Sequence, residues 1–338
     1  TMTFKRGYSP RVRAMRTTTS PRRGMRTRSN MARSILARPH PHQFRERGSL
    51  RRVSFLRDPQ IERNVNRLPI PFDSHGVDPF GVDKEWLIRA YSPFAHMYRS
   101  YLNVTTFGME HVPKKGRGLL IGNHSGGIGA DAAMTMTALL MNHDAPRLAH
   151  GMAEYFFNTW PFASQLMNRT GHLTGLPEHA EMLLEAGRIV VAFPEGARGT
   201  AKLYKDRYKL VRFGTGFVRL ALKMKTPIYP FAFIGGEEAF PTLFHIKGLH
   251  KLIGAPYVPV APQLVIWPLP VSCQIHFGKP LQFEGDGSET DEVIQGYVEE
   301  VKEAIHGLIE TGLAARPAAF TRQLVQSSYD PTRPDLKR

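Results

Sequence analysis

Apolar residues follow two rhythms along this chain. Short, nearly unbroken apolar runs read as buried strands at residues 104–109, 118–122, 188–193 (RIVVAF), 227–234 and 273–277. Longer stretches with helical spacing fall between them, at 131–141, 154–167 (broken near Pro161), 178–186 and 216–224. A first helix over 83–102 carries Trp86, Tyr91, Phe94, Tyr98 and Tyr101, with Pro93 as its expected kink. Its aromatic face suits a protein core or a membrane interface equally well. A last helix spans 288–313, opened by a capping box of Ser288 with Asp291 and lined by Val293, Tyr297, Val301, Ala304, Ile305 and Leu308. Strands that alternate with helices imply an α/β fold: one domain over 83–315 with a mixed, mostly parallel sheet flanked by helices. Residues 58–82 read as a linker and 316–338 as a C-terminal tail.

Charge divides the chain. The net charge is +16, but residues 1–57 hold 16 Lys and Arg against a single acid, Glu46, so nearly all of it belongs to that segment. The segment is rich in Arg, Ser and Pro and has no apolar period, so it is expected to be disordered in isolation. It suits an organelle transit peptide, a basic arm for anionic lipid, or an over-extended reading frame with starts offered at Met2, Met15, Met25 and Met31. The near-neutral remainder gives no reason to expect specific nucleic-acid binding. One cysteine, Cys273, excludes an internal disulfide framework and a cysteine-ligated metal cluster. Residues 252–271 are uncharged for twenty positions, the length of a bilayer span, yet contain Pro256, Pro259, Pro262, Pro268 and Pro270. So many lost backbone donors argue for a buried or membrane-touching loop instead.

Ligands of α/β sheets collect beyond the carboxyl ends of the strands. Three such exits stand out. The first reads Gly122-Asn123-His124-Ser125-Gly126-Gly127, with Asp131 seven positions after the histidine. The aspartate can fold back to hold one imidazole nitrogen and leave the other as a general base. The second reads Phe193-Pro194-Glu195-Gly196-Ala197-Arg198, followed by Lys202, Lys205, Arg207, Lys209 and Arg212, and suits an anionic group. A solvated surface loop would read the same way. The third ends in Gly235-Gly236-Glu237-Glu238. No nucleophile elbow, P-loop or dinucleotide fingerprint occurs.

The order of these blocks, with Asn168-Arg169-Thr170-Gly171 between the first two and Thr226-Pro-Ile-Tyr-Pro after them, resembles the glycerolipid acyltransferase family over roughly residues 91–283. Within it, His-Ser-Gly-Gly looks closest to the lysophospholipid branch, which also resembles neutral-lipid acyltransferases. The spacing departs from the common pattern, with six residues between His124 and Asp131 where four are usual. Ala197 and Gly199 stand where Thr and Ser are common.

The resemblance implies direct acyl transfer from acyl-CoA or acyl-carrier protein as co-substrate to a lysophosphatidate-like lysophospholipid or glycerol 3-phosphate, with no cofactor and no metal. A diacylglycerol or long-chain alcohol acceptor is the alternative. His124 would be the base and Asp131 its orienting partner. Asn123, Ser125, Gly126 and Gly127 would line the substrate site, Glu195 and Gly196 would shape the acceptor pocket, and Arg198 and Arg169 would lie near its phosphate. Membrane lipids are the implied partners, at the cytoplasmic face of a membrane that the protein meets as a peripheral or monotopic enzyme.

Overall fold

A computed structural model describes residues 57–125, 129–153, 162–245, 259–260 and 267–316. The expectations for residues 1–56, for Gly126 and Gly127, for the first half of the 154–167 helix, for most of 252–271 and for 317–338 lie outside them.

Among the described residues, nine strands form the sheets: β1 (Thr105–Phe107), β2 (Gly118–Gly122), β3 (Ala149–Ala153), β4 (His172–Thr174), β5 (Ile189–Ala192), β6 (Ile228–Ile234), β7 (Phe244–His245), β8 (Pro259–Val260) and β9 (Gln274–Phe277). Seven of them make one mixed sheet in the order β1-β9-β6-β2-β5-β3-β4, and β7 pairs with β8 alone. The five strands from β6 to β4 run parallel, while β9 is antiparallel to β6. The fold class read from the sequence is therefore the one observed. Strands β3 and β4 escape the apolar pattern because Ala149-His150-Gly151 and His172-Leu173-Thr174 lack a run of β-branched residues.

Alternation along each central strand feeds two cores. Leu120 of β2 and Tyr229, Phe231 and Phe233 of β6 point to one face. Leu119, Ile121, Ile228 and Ala232 point to the other. The first face is covered by α1 (Pro59–Asn66), α2 (Lys84–His96) and α3 (Ala130–Met141). The second is covered by α5 (Pro177–Glu185), α7 (Gly216–Lys223) and α9 (Asp291–Ala315). Three shorter helices are α4 (Ala163–Arg169), α6 (Ala197–Thr200) and α8 (Gly236–Ala239).

Three boundaries differ from the sequence reading. Residues 58–82 are not a linker. Asp58 caps α1 by accepting from the Gln60 and Ile61 N–H groups, with Pro59 at the first helical position. Ile61 and Val65 are then fully buried in the first core. The segment was missed because a helix of eight residues offers only two core positions. The Ser288–Asp291 capping box does not form. Ser288 Oγ bonds Asp286 Oδ1 at 2.6 Å, the Glu289 carboxylate takes the Asp286 and Gly287 N–H groups, and α9 starts after Thr290. Its buried stripe is Ile294, Val298, Val301, Ile305 and Ile309, and Val293 is exposed. Arg316, assigned to the tail, is buried against α8, as described below. Of the two readings of the aromatic helix, the core one holds: Tyr91 is buried, with Phe94, Tyr98 and Tyr101 packed partly buried around the same core.

Candidate active site

Strand β2 lies at the middle of the seven-stranded sheet, between β6 and β5. Its continuation builds the site. Asn123 does not face a ligand: its side-chain amide donates to Phe233 O at 3.0 Å, and its Oδ1 accepts from Phe233 N–H at 2.8 Å. It extends the β2–β6 ladder by one rung through a side chain and is fully buried. The substrate role expected for it is therefore corrected.

His124 is the next residue, and its Nδ1 lies 2.6 Å from Asp131 Oδ2 on the first turn of α3. The longer spacing between them does not separate the pair. Asp131 is fully buried and also accepts from the N–H groups of Ser125 (2.7 Å) and Ala132 (2.8 Å). These bonds and the imidazole hold its pKa below the ordinary carboxylate value against the opposing effect of burial. Burial is also the largest influence on His124, pulling its pKa down. The Asp131 charge, its hydrogen bond and the Glu195 charge outweigh it, so the imidazole is more basic than usual. Phe193 stacks on the ring with centroids 4.3 Å apart and an interplanar angle of 16°. The His124 side chain stays 17 % exposed, and no hydrogen bond among the described residues engages Nε2. Ser125 is fully buried beside Gly236, and its Oγ has no hydrogen-bond partner among the described residues.

The second exit turns inward. Gly196 takes φ 54° and ψ −150°, a combination open in practice only to glycine, and α6 starts directly after it. Glu195 is fully buried rather than lining a pocket. Its Oε1 accepts from the His124 N–H at 2.8 Å and its Oε2 from the Val211 N–H at 2.9 Å. Lys202 is 3 % exposed, and its Nζ lies 3.5 Å from Glu195 Oε2, 3.3 Å from Glu237 Oε1 and 3.2 Å from Lys209 O. The sequence groups Lys202 with the bases suited to an anionic group and gives no local signal for this burial.

A second buried group adjoins it. The Tyr208 hydroxyl donates to Glu238 Oε1 at 2.8 Å and accepts from the N–H of Gly235. Arg316 reaches the same hydroxyl, pairs with Glu238 and donates to Ser272 O. The loop from Lys202 to Val211 is thus pinned to α8 from below, while Arg198, Lys205, Arg207, Lys209 and Arg212 stay exposed.

Arg169 is not brought to this group. It ends α4 just before β4, and the sheet register sets Gly151 beside both His172 and Val191. That puts Arg169 toward the amino end of the parallel strands, opposite the His124 rim, where its guanidinium lies over the Trp86 ring at 5.4 Å. Cys273 is buried and its thiol is pushed up to about 12, which keeps it protonated and out of nucleophilic chemistry.

A carboxylate-held imidazole with a free nitrogen at a strand exit can accept a proton from a hydroxyl. The comparisons identify the class. A family profile described as Acyltransferase matches residues 103–234, which contain every residue of this site up to β6. The chain belongs to this acyltransferase family and is an acyltransferase. An uncharacterised protein of Mycobacterium tuberculosis is 32% identical over 73% of this chain and 72% of its own length. One of Mycobacterium leprae is 34% identical over 72% and 70%. A Gallus gallus protein described as a DGAT1/2-independent enzyme synthesizing storage lipids is 25% identical over 63% and 61%. The crystal structure of the 1-acyl-sn-glycerophosphate acyltransferase PlsC from Thermotoga maritima is similar with a TM-score of 0.43 and 18% identity, over 65% of this chain and 79% of that one.

Proposed function

We propose that this enzyme moves a fatty acyl chain from an acyl-CoA or acyl-carrier-protein thioester to the hydroxyl of a lysophosphatidate-like lysophospholipid or of glycerol 3-phosphate. The observation that carries the reading is the 2.6 Å contact of His124 Nδ1 with buried Asp131, which leaves Nε2 to work. Nε2 takes the hydroxyl proton as the oxygen attacks the thioester carbonyl. The C–S bond breaks, the new ester forms, and the departing thiolate takes the proton back from the imidazolium. The exposed bases Arg198, Lys205, Arg207 and Arg212 beside the site suit a phosphate on the acceptor.

The test uses the full chain with detergent-dispersed lysophosphatidate and an acyl-CoA. Free CoA should be released, and His124→Ala should slow release by about 10²–10⁴-fold. An unchanged rate would remove His124 from the reaction. A neutral acceptor such as diacylglycerol is the second reading, favoured by the storage-lipid description of the vertebrate relatives. Arg198→Ala separates the two, since it should penalise only a phosphate-bearing acceptor.

The same reading has the enzyme working at a membrane surface as a peripheral or monotopic protein. No helix among the described residues is long and apolar enough to cross a bilayer. Phe162, Leu243, Phe244 and Trp267 are exposed apolar side chains that a lipid surface would cover. Co-sedimentation with phosphatidylglycerol vesicles is the expected result, and protein left in the supernatant would count against it.

A further inference from the structure

Glu195 departs furthest from what its motif suggests. Two carboxylate oxygens meet two backbone donors, one on the loop that carries the base and one on the loop that carries the exposed cations. No side chain but a carboxylate accepts on both arms; a glutamine would turn an NH₂ toward one of the N–H groups. Lys202 is matched as closely. Its ammonium has three donors and faces three acceptors, the Glu195 and Glu237 carboxylates and the Lys209 carbonyl. Both side chains are almost wholly removed from solvent, so neither is available to a substrate without rearrangement. Burying a charge this way is costly unless each partner is paired and hydrogen-bonded. The arrangement sits directly beneath His124. The charged groups facing the imidazole are Asp131 from α3, Glu195 from the β5–α6 turn and Lys202 from beyond α6.

We propose that Glu195 and Lys202 form a positioning pair for His124. The carboxylate grips the backbone of the residue that carries the imidazole, and the buried ammonium keeps that carboxylate in place. The Phe-Pro-Glu-Gly block then acts on the base rather than on the acceptor. The proposal rests on His124 being the base, and the experiment separates the two.

The first measurement is amide hydrogen exchange at His124 in the full chain without substrate. Exchange should accelerate in Glu195→Gln and in Lys202→Met. Wild-type protection in both would overturn the pair whether or not His124 is the base, and activity of His124→Ala tests that point separately. The second is steady-state kinetics. Glu195→Gln should lower kcat by about 10–100-fold through misplacement of the base, with KM for the acceptor within about twofold of wild type. Removing the negative charge should also move the acid limb of the kcat profile to lower pH. A raised acceptor KM with the limb unmoved would mean that Glu195 touches the acceptor, and the pair would fall. Lys202→Met gives the same kcat-without-KM signature and serves alone if Glu195→Gln does not fold.

Discussion

Gly199 is packed so tightly on His124 that a Cβ added to it would lie 2.7 Å from the Cβ of the histidine and 2.7 Å from that of Glu195. Helix α6 thereby touches His124 and its backbone anchor Glu195 at one point, which only a residue without a side chain allows. Gly199→Ser must push one of them aside. A displacement of about 1 Å at a catalytic group can cost about 10²-fold, so kcat should fall by that order while the far-UV circular dichroism spectrum stays unchanged. Full activity in this variant would show that α6 can yield.

The pH profile follows from the His124–Asp131 pair. A general base works only when neutral, and the His124 pKa is raised above the ordinary 6.5. Activity should therefore rise with pH through a midpoint above that value. Asp131→Asn removes the largest raising influence, so the midpoint should drop while kcat falls. An acid limb that ignores this substitution would disconnect the pair from turnover.

The same pair makes stability depend on pH in a bounded window. The raised His124 pKa contributes stability that is complete below the unfolded value and lost as pH rises through the folded one. The lowered Asp131 pKa contributes stability present above its unfolded value and lost as pH falls through the folded one. The destabilisation caused by His124→Ala should thus be largest in mildly acidic buffer and shrink on either side, as read from urea midpoints.

Asn123 offers a test of structure apart from chemistry. Asn123→Ala would orphan the buried Phe233 N–H and C=O groups, at about 1–3 kcal/mol each. Urea unfolding should register the loss. An unaffected midpoint would show that the rung is dispensable.

Helix α1 makes the last prediction. Ile61 is fully buried against α2 and α3, so Ile61→Ala should cost about 2–5 kcal/mol. A linker residue would cost nothing measurable.

The strands at the centre of the sheet were legible because burial on both faces demands uninterrupted apolar runs, as in Ile228–Ile234. His124 and Asp131 were legible because a strand exit with a following helix brings them together locally. The directions of side chains at the turns were not. Asn123 and Glu195 look like ligands in the sequence since both are polar beside glycine, but each instead satisfies backbone groups, Asn123 the N–H and C=O of a residue 110 positions away and Glu195 an N–H 71 positions away. Lys202 meets its carboxylates only in the tertiary structure, which brings Glu195 of the β5–α6 turn and Glu237 of α8 to one ammonium. Arg169 follows the motif order, but register along β3 and β4 carries it to the far end of the sheet.

The inward turn at Gly196 sorts the residues of a single short block by exposure. Glu195, which holds the His124 backbone, is locked away, whereas Arg198 and the cations after Lys202 stand in water. Substitutions among the outer bases can therefore accumulate over evolutionary time without disturbing the buried contacts beneath. A designer seeking a new acceptor range would find Lys205, Arg207 and Arg212 open to randomisation, with Glu195, Gly199 and Lys202 left untouched.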